Sequence, residues 1–537
     1  MAISKIPENP ETTLDGTVGG TEAALLTRSV ITGSTGNNAA VTDHLALQVT
    51  PPPEGRSGFG EAAVTEPHPK IQVRFPYDNI DPMMLHARPN QSGTASIANS
   101  LLTVTSGAAA NSGAEVLTRD RVPYRPGQGT ICRFTALFTT GVANSEQWVG
   151  IGDDGEGYFV GYQGADFGFA RRKGGRFEVR TLTVTTASTT AENITITLDG
   201  NADATVAVTN TGDVTLTANE IAAHDYSDVG PGWSASAVGD TVVFCSWSAS
   251  VQTGTYSLSG ATTAVGTFAQ TLAGVAPTVS FVAQASWNGS DIFDGTGLSG
   301  VTLDPTKGNV YQIRFQYLGF GAIQFFIEDP DDGELHLVHT IEYSNANTTP
   351  SLEDPTYPMY IEAKNAANTS DLTVSTASFA AFNEGQFVPY GARQGVEADA
   401  TLASAVETPI ITIRAKEVLG GKINRTPLKL LYVSASAEHT KPVSLKFYFN
   451  ATLTGASFTD VRSPYSGVQE DISATAFSGG TFFFRINLGK TGNEIIDLTG
   501  TELDGLLQPG ESMTVTVAPK SGSNAEASIS LYYVELF

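Results

Sequence analysis

The stretch at residues 308–329, GNVYQIRFQYLGFGAIQFFIED, constrains this chain most. Ile313, Phe315 and Tyr317 alternate with Gln312, Arg314 and Gln316. After a break at Gly319 and Gly321, Ile323, Phe325 and Ile327 alternate with Gln324 and Glu328. A period of two marks a strand with one buried face. Two such runs joined by a short glycine-bearing segment predict a β-hairpin, with the glycines supplying a permissive backbone for the reversal. Residues 329–334, DPDDGE, then predict a turn into a third strand with Leu335, Leu337, His339 and Ile341 on one face. This meander places the chain among β-sandwiches.

The chain has 537 residues, which at roughly 150 per domain predicts three or four domains. Only 16% of residues are charged, and Thr, Ser, Ala, Asn and 55 Gly take their place. That composition suits short strands and tight turns. The expected fold class is mainly β: multidomain β-sandwiches or jelly rolls, a small inserted α+β domain and an extended N-terminal arm. A net charge of −25 argues against wrapping nucleic acid, whose phosphates need a cationic surface. It argues equally against an anionic membrane surface. No apolar run approaches the ~20 residues of a membrane span, so no membrane insertion is expected. The opening MAISKIPENPETTLDG lacks a hydrophobic signal core, so export by that route is not expected. Cys132 and Cys245 lie among apolar neighbours and are expected to be buried, reduced thiols.

Along the chain, residues 1–130 are rich in Pro, Gly, Thr and Ala, with short strand candidates at 44–49, 71–75 and 101–105. They read as an arm that orders against neighbouring subunits. Residues 131–182 and 278–385 supply the two halves of one sandwich. Residues 183–277 read as an inserted domain, with a weakly capped helix at 218–224 and Ile221 facing a sheet. Residues 386–400 read as a boundary, and 398–537 as a second sandwich of about seven strands.

Several motifs carry a resemblance. DGTG at 294–297, LDPTKG at 303–308, the YQI strand opening and the YLGFG turn resemble a β-sandwich module of tailed-phage and large-virus virion proteins. QWVGIGDDGEGYFVGYQGADFGFARR is similar to the front half of that module. The segments within 183–277 and ETPIITIRAKEVLGGKINRTPLKLLYVS are similar to phage tail and terminal domains. The resemblance spans about residues 130–537. It implies a structural component of a virion, such as a tail or head fibre, spike or decoration, assembled in the host cytoplasm. Its partners would be capsid, portal or tail subunits, and it would form a homo-oligomer, plausibly a trimer. Anchoring would fall to the arm, with Pro51, Pro52, Pro53, Phe75 and Pro76 as candidates.

The alternative is a lectin-like adhesion protein that binds a host surface glycan. Trp148, Trp233, Trp247 and Trp287 are the candidates for stacking on a sugar, with core packing the competing role for each. A polysaccharide-cleaving spike would need paired carboxylates. Asp291 and Asp294 beside Trp287 are the one tempting pair, and no repeat suggests the β-helix such spikes use. The acidic turns with Asp153, Asp154 and Glu156, and with Asp329, Asp331, Asp332 and Glu334, lack the ligand spacing of a calcium loop. No nucleophile elbow, HExxH or phosphate loop is present. The chain is therefore expected not to be an enzyme and to use no metal and no cofactor.

Overall fold

The computed structural model describes residues 66–198, 202–297, 299–385, 390–402, 405–437, 441–499, 505–520 and 525–537, with the backbone of two short strands upstream. The chain divides into Met1–Gly55 and Arg56–Phe537. In the first unit Ala40–Val41 pairs antiparallel with Leu47–Gln48. Pro51, Pro52 and Pro53 lie outside the described residues. Everything below concerns the second unit.

The hairpin forms as its alternation predicts. Asn309–Phe315 pairs antiparallel with Ile323–Glu328, with Ile313 opposite Phe325 and Phe315 opposite Ile323. Gly319 has a φ of +78°, the left-handed conformation that favours glycine. A Cβ on Gly321 would lie 1.8 Å from the Gln316 carbonyl oxygen, so no larger residue fits that reversal. Leu335–Ile341 adds the third strand, with a register shift at Phe325/Phe326. That irregularity sends Val338 into the core in place of a simple odd-numbered face. The outer face of the hairpin is buried as well. Arg133 donates to Gln312 at 2.7 Å and Arg314 to Glu384 at 2.7 Å, so polar partners cover it.

Around this hairpin two sheets pack face to face. One holds seven strands, in the order Thr278–Ala283, Asp166–Lys173, Gly157–Gln163, Ser145–Gly152, Met359–Asn365, Gly113–Thr118 and Leu85–Asn90. The other holds nine and contains the hairpin. Between them lies an aromatic core in which Phe169 stacks on Trp287 at 4.3 Å and on Phe325 at 4.2 Å. Such contacts add to the burial of apolar area that holds sandwich layers together.

The expected arm does not extend to residue 130. Pro67–Arg74, Leu85–Asn90, Thr94–Ala98, Leu101–Thr105 and Gly113–Thr118 are strands of these two sheets. The polar stretches between them are turns. Asn99 and Ser100, at φ 54° and 62°, close a two-residue hairpin between Ala98 and Leu101. That is the twist-matched turn an Asn-Gly pair usually announces, here written Asn-Ser. Phe75 is core, edge-on to Phe379 at 5.8 Å, so it offers no anchoring surface. Pro76 is exposed.

The insertion leaves after Asp166–Lys173 and returns as Thr278–Ala283, two strands paired with each other in the seven-stranded sheet. Val179–Thr186 belongs to the insertion and not to the sandwich, because it pairs with Thr241–Ser246 and Val265–Leu272. The helix runs from Val214 to Ala222, earlier than expected, and Ile221 is fully buried. Asp213 caps it by accepting from the Leu216 amide at 2.9 Å, so the helix is not weakly capped.

The C-terminal sandwich starts earlier than expected, within the region read as a boundary. Ala392–Leu402 pairs along its whole length with Ala525–Glu535. Val396, Ala398 and Leu402 turn inward while Glu397 and Asp399 face solvent. Small residues on the inner face mute that alternation in the sequence. No helix among the described residues is long and apolar enough to cross a membrane.

Candidate functional site

On the outer face of the seven-stranded sheet, Leu117, Trp148, Phe159, Ala170 and Tyr360 form a small second core, with Val279 and Phe281 packed against it. Beside it, cross-strand register sets Arg88 opposite Glu115 and Glu115 opposite Glu362, with Trp148 next to Glu362. The alternation of each strand aims these side chains outward together.

The result is a buried ionic cluster. Arg172 Nη2 lies 2.7 Å from Glu146 and 2.7 Å from Glu362, and its Nη1 is 3.4 Å from Asp154. Lys364 lies 3.5 Å from Asp154 and 3.9 Å from Glu362. Arg88 pairs with Glu115 at 2.9 Å, and the Tyr360 hydroxyl donates to the other Glu115 oxygen at 2.7 Å. The insertion grips the same groups: the Ala249 amide donates to Asp154 at 2.7 Å, and Asn90 donates to the Gly230 carbonyl at 2.9 Å.

Burial works to raise the Asp154 pKa, but Lys364 and Arg172 overcome it and hold the carboxyl below its ordinary value. Glu362 goes the other way. Burial raises it to about 7 against the pull of Arg172 and Lys364, with Asp154 and Glu146 adding to the rise. Beside the Arg88–Glu115 pair, Glu146, Asp154 and Glu362 share Arg172 and Lys364, so the cluster holds one negative charge more than it can pair, and Glu362 is the acid that takes the proton.

The folded state thus keeps a proton that the unfolded chain releases near the ordinary value of 4.5. The stability this group contributes is fully present below that value and is lost as pH rises through about 7. Glu362→Gln should flatten this dependence and leave the protein more stable than the native one at pH 8, by up to about 3 kcal/mol. Urea unfolding at pH 5, 6.5 and 8 checks this, and an unchanged slope in the variant would refute it.

Above the cluster opens a cleft of about 650 Å³, walled by the sheet on one side and by Trp247, Ser248 and Gln252 of the insertion on the other. Gly232 packs beneath Trp247, where an added Cβ would fall 2.2 Å from the ring. The Arg88 guanidinium lies 6.0 Å from the Trp247 ring centre. Gln91 and Asn111 stand at the rim in left-handed backbone, with φ of 52° and 58°. Glutamine rarely adopts that conformation. Among the described residues, Asn90 Oδ1, Asn365 Oδ1 and Trp247 Nε1 have no hydrogen-bond partner, and all three residues line this cleft. All three atoms are themselves buried, beneath the surface of the cleft.

Three of the four weighed tryptophans are core. Trp148 is 0%, Trp233 1% and Trp287 6% exposed, so none of them presents a face to a sugar. Trp148 donates to Glu146 at 3.2 Å and Trp287 to the Val282 carbonyl at 3.2 Å. Trp247 is partly exposed and lines the cleft. Its sequence signal was no stronger than theirs. Of the carboxylates beside it only Asp154 lay in a motif the sequence singled out, and the amides carried no signal.

The other acidic groups build turns or seams. Asp291 accepts from the Phe293 and Ser299 amides, and Asp294 from Thr296. Asp153 accepts from the Gly155 and Glu156 amides and from Arg425 of the C-terminal sandwich. Asp329, Asp332 and His336 bring ligand atoms within 4.8 Å of one another. Asp331 and Glu334 do not join them, and two carboxylates and an imidazole fall short of the six to eight oxygens calcium takes. Cys132 and Cys245 are free thiols, the first buried and the second partly so.

No protein-family model matches the chain, and no curated protein matches it. Among solved structures it is similar to arcelin-5, a lectin-like defence protein from Phaseolus vulgaris, at 8% identity and a TM-score of 0.22, covering 59% of this chain and 99% of that one. It is similar to the Lotus tetragonolobus seed lectin at 10% identity and 0.21, covering 58% and 98%. A botulinum neurotoxin type C structure matches at 7% and 0.23, covering 86% and 97%. These neighbours are lectin and toxin β-sandwich proteins, and at such scores they carry no argument about function. The sheets themselves define the class, a multidomain β-sandwich protein.

Proposed function

We propose that this chain is a non-enzymatic carbohydrate-binding protein that engages a host surface glycan through the cleft between its first sandwich and its insertion. The cleft carries the reading. It pairs one partly exposed tryptophan with side-chain amides and an immobilised ionic floor. Carbohydrate recognition needs this combination of an apolar ring face and dense, fixed hydrogen-bonding groups. In the same proposal the protein is a virion component with capsid, portal or tail subunits and further copies of itself as partners. The motifs at 294–297 and 303–308 support that part.

Trp247→Ala tests the site. If the ring stacks on a sugar, affinity for the glycans that the native protein captures on an array should fall about tenfold, as read by calorimetry. Equal affinity in the variant would refute the site. Immunogold labelling of purified particles checks the virion placement.

A further inference from the structure

We infer that the cleft selects uncharged hexose or N-acetylhexosamine units and discriminates against sugars bearing a carboxylate, sulfate or phosphate. This rests on the glycan reading of the cleft and names its ligand class.

The charges in the cleft are unbalanced. Glu115, Asp154 and Asp228, joined by Glu362 as pH rises through about 7, line it against Arg88 and Lys364. Both cations are committed, Arg88 to Glu115 at 2.9 Å and Lys364 to Asp154 at 3.5 Å. Arg172, behind the floor, is held by three carboxylates. Asp228 stands exposed at the rim, with no cation paired to it among the described residues. An anionic ligand is normally met by a free guanidinium, a free ammonium or a helix N-terminus. The lining supplies none of these, and the helix Val214–Ala222 of the insertion lies outside it.

What the cleft does supply is amides. Gln91 and Asn111 each carry two donors and an acceptor, and Gln252, whose amide nitrogen donates to Ser250, offers its oxygen. Hydroxyl and acetamido groups match that set. A carboxylate brings acceptors alone, into a site already rich in them, and the chain's net charge of −25 repels it from a distance.

The test uses the full-length protein on an array of matched glycans, each neutral core printed with and without a terminal sialic acid or uronate. Calorimetry on the hits follows, with Trp247→Ala as the site control. Neutral cores should bind, and adding the acidic unit should weaken binding at least about tenfold. Asp228→Lys should narrow that gap. Acidic glycans that bind as well as their neutral cores, and lose binding in Trp247→Ala, would overturn the ligand class while leaving the cleft as a glycan site. Absence of glycan binding, or binding indifferent to Trp247→Ala, would overturn the cleft reading itself and the class with it.

Discussion

Arg172→Ala is expected to destabilise the protein by about 3–5 kcal/mol, as breaking a buried ion pair from one side typically does. Arg172 is 1% exposed and lies within 3.4 Å of three carboxylates. Removing it leaves Glu362 and Asp154 buried with only Lys364 to share, while Glu146, more than a third exposed at its side chain, can recover hydration. The guanidinium also lies 5.1 Å from the Phe159 ring centre and 5.8 Å from that of Trp148, so its loss leaves packing unfilled as well. The cost should be larger at pH 8 than at pH 6, because at the lower pH Glu362 can take up a proton and shed the unpaired charge. Adding Glu362→Gln to the variant should recover part of the loss. Denaturant unfolding of both variants measures this, and equal costs at the two pH values would sink the shared-charge account.

Arg425→Ala should cost a comparable 3–5 kcal/mol, but at a different place. Arg425 belongs to the C-terminal sandwich and reaches Asp153 of the first one through Nη2 at 2.9 Å and Nε at 3.2 Å. It also lies over the Tyr357 ring at 4.9 Å. Its loss removes the cation from Asp153, which keeps only the Gly155 and Glu156 amides as donors, while Glu156 keeps the Tyr357 hydroxyl and the Gly174 amide. The remaining ties across that seam include Arg119 to Glu511 at 2.6 Å. With fewer of them, the C-terminal sandwich should unfold first. A second unfolding step, and faster cleavage by protease in the connection near residues 385–391, are the expected signs. A single transition at the native denaturant concentration would show that the seam does not depend on this residue.

Much of the strand pattern could be read from local chemistry. The hairpin around Gly319 and Gly321 announced itself because alternation and turn residues are encoded within a few neighbours. Ile221 was placed on a buried helix face for the same reason. Where local signals were muted, the reading slipped. Asn99-Ser100 performs a hairpin turn without glycine, and Ala398 and Ala400 blur the alternation of Ala392–Leu402. The first helped hide that the strands near 71–75 and 101–105 belong to the sandwich and not to an arm, and the second hid a strand inside a region read as a boundary. Asp213 was overlooked as a cap because the helix was started four residues too late.

The sequence by itself determined that this is a strand-built, acidic, multidomain protein. Period-two patterning and turn chemistry act over a handful of residues and need no partner to be legible. Tertiary structure alone decided which tryptophan faces a cleft and which three are core. It alone brought Arg88, Glu115, Glu146, Arg172 and Glu362 onto one face of one sheet. Those residues come from five strands scattered over the first two-thirds of the chain. Their burial, their shared proton and the cleft above them depend on which strands pair and on where the insertion folds back. Such pairing is set by contacts between distant parts of the chain, and no short stretch of sequence carries it.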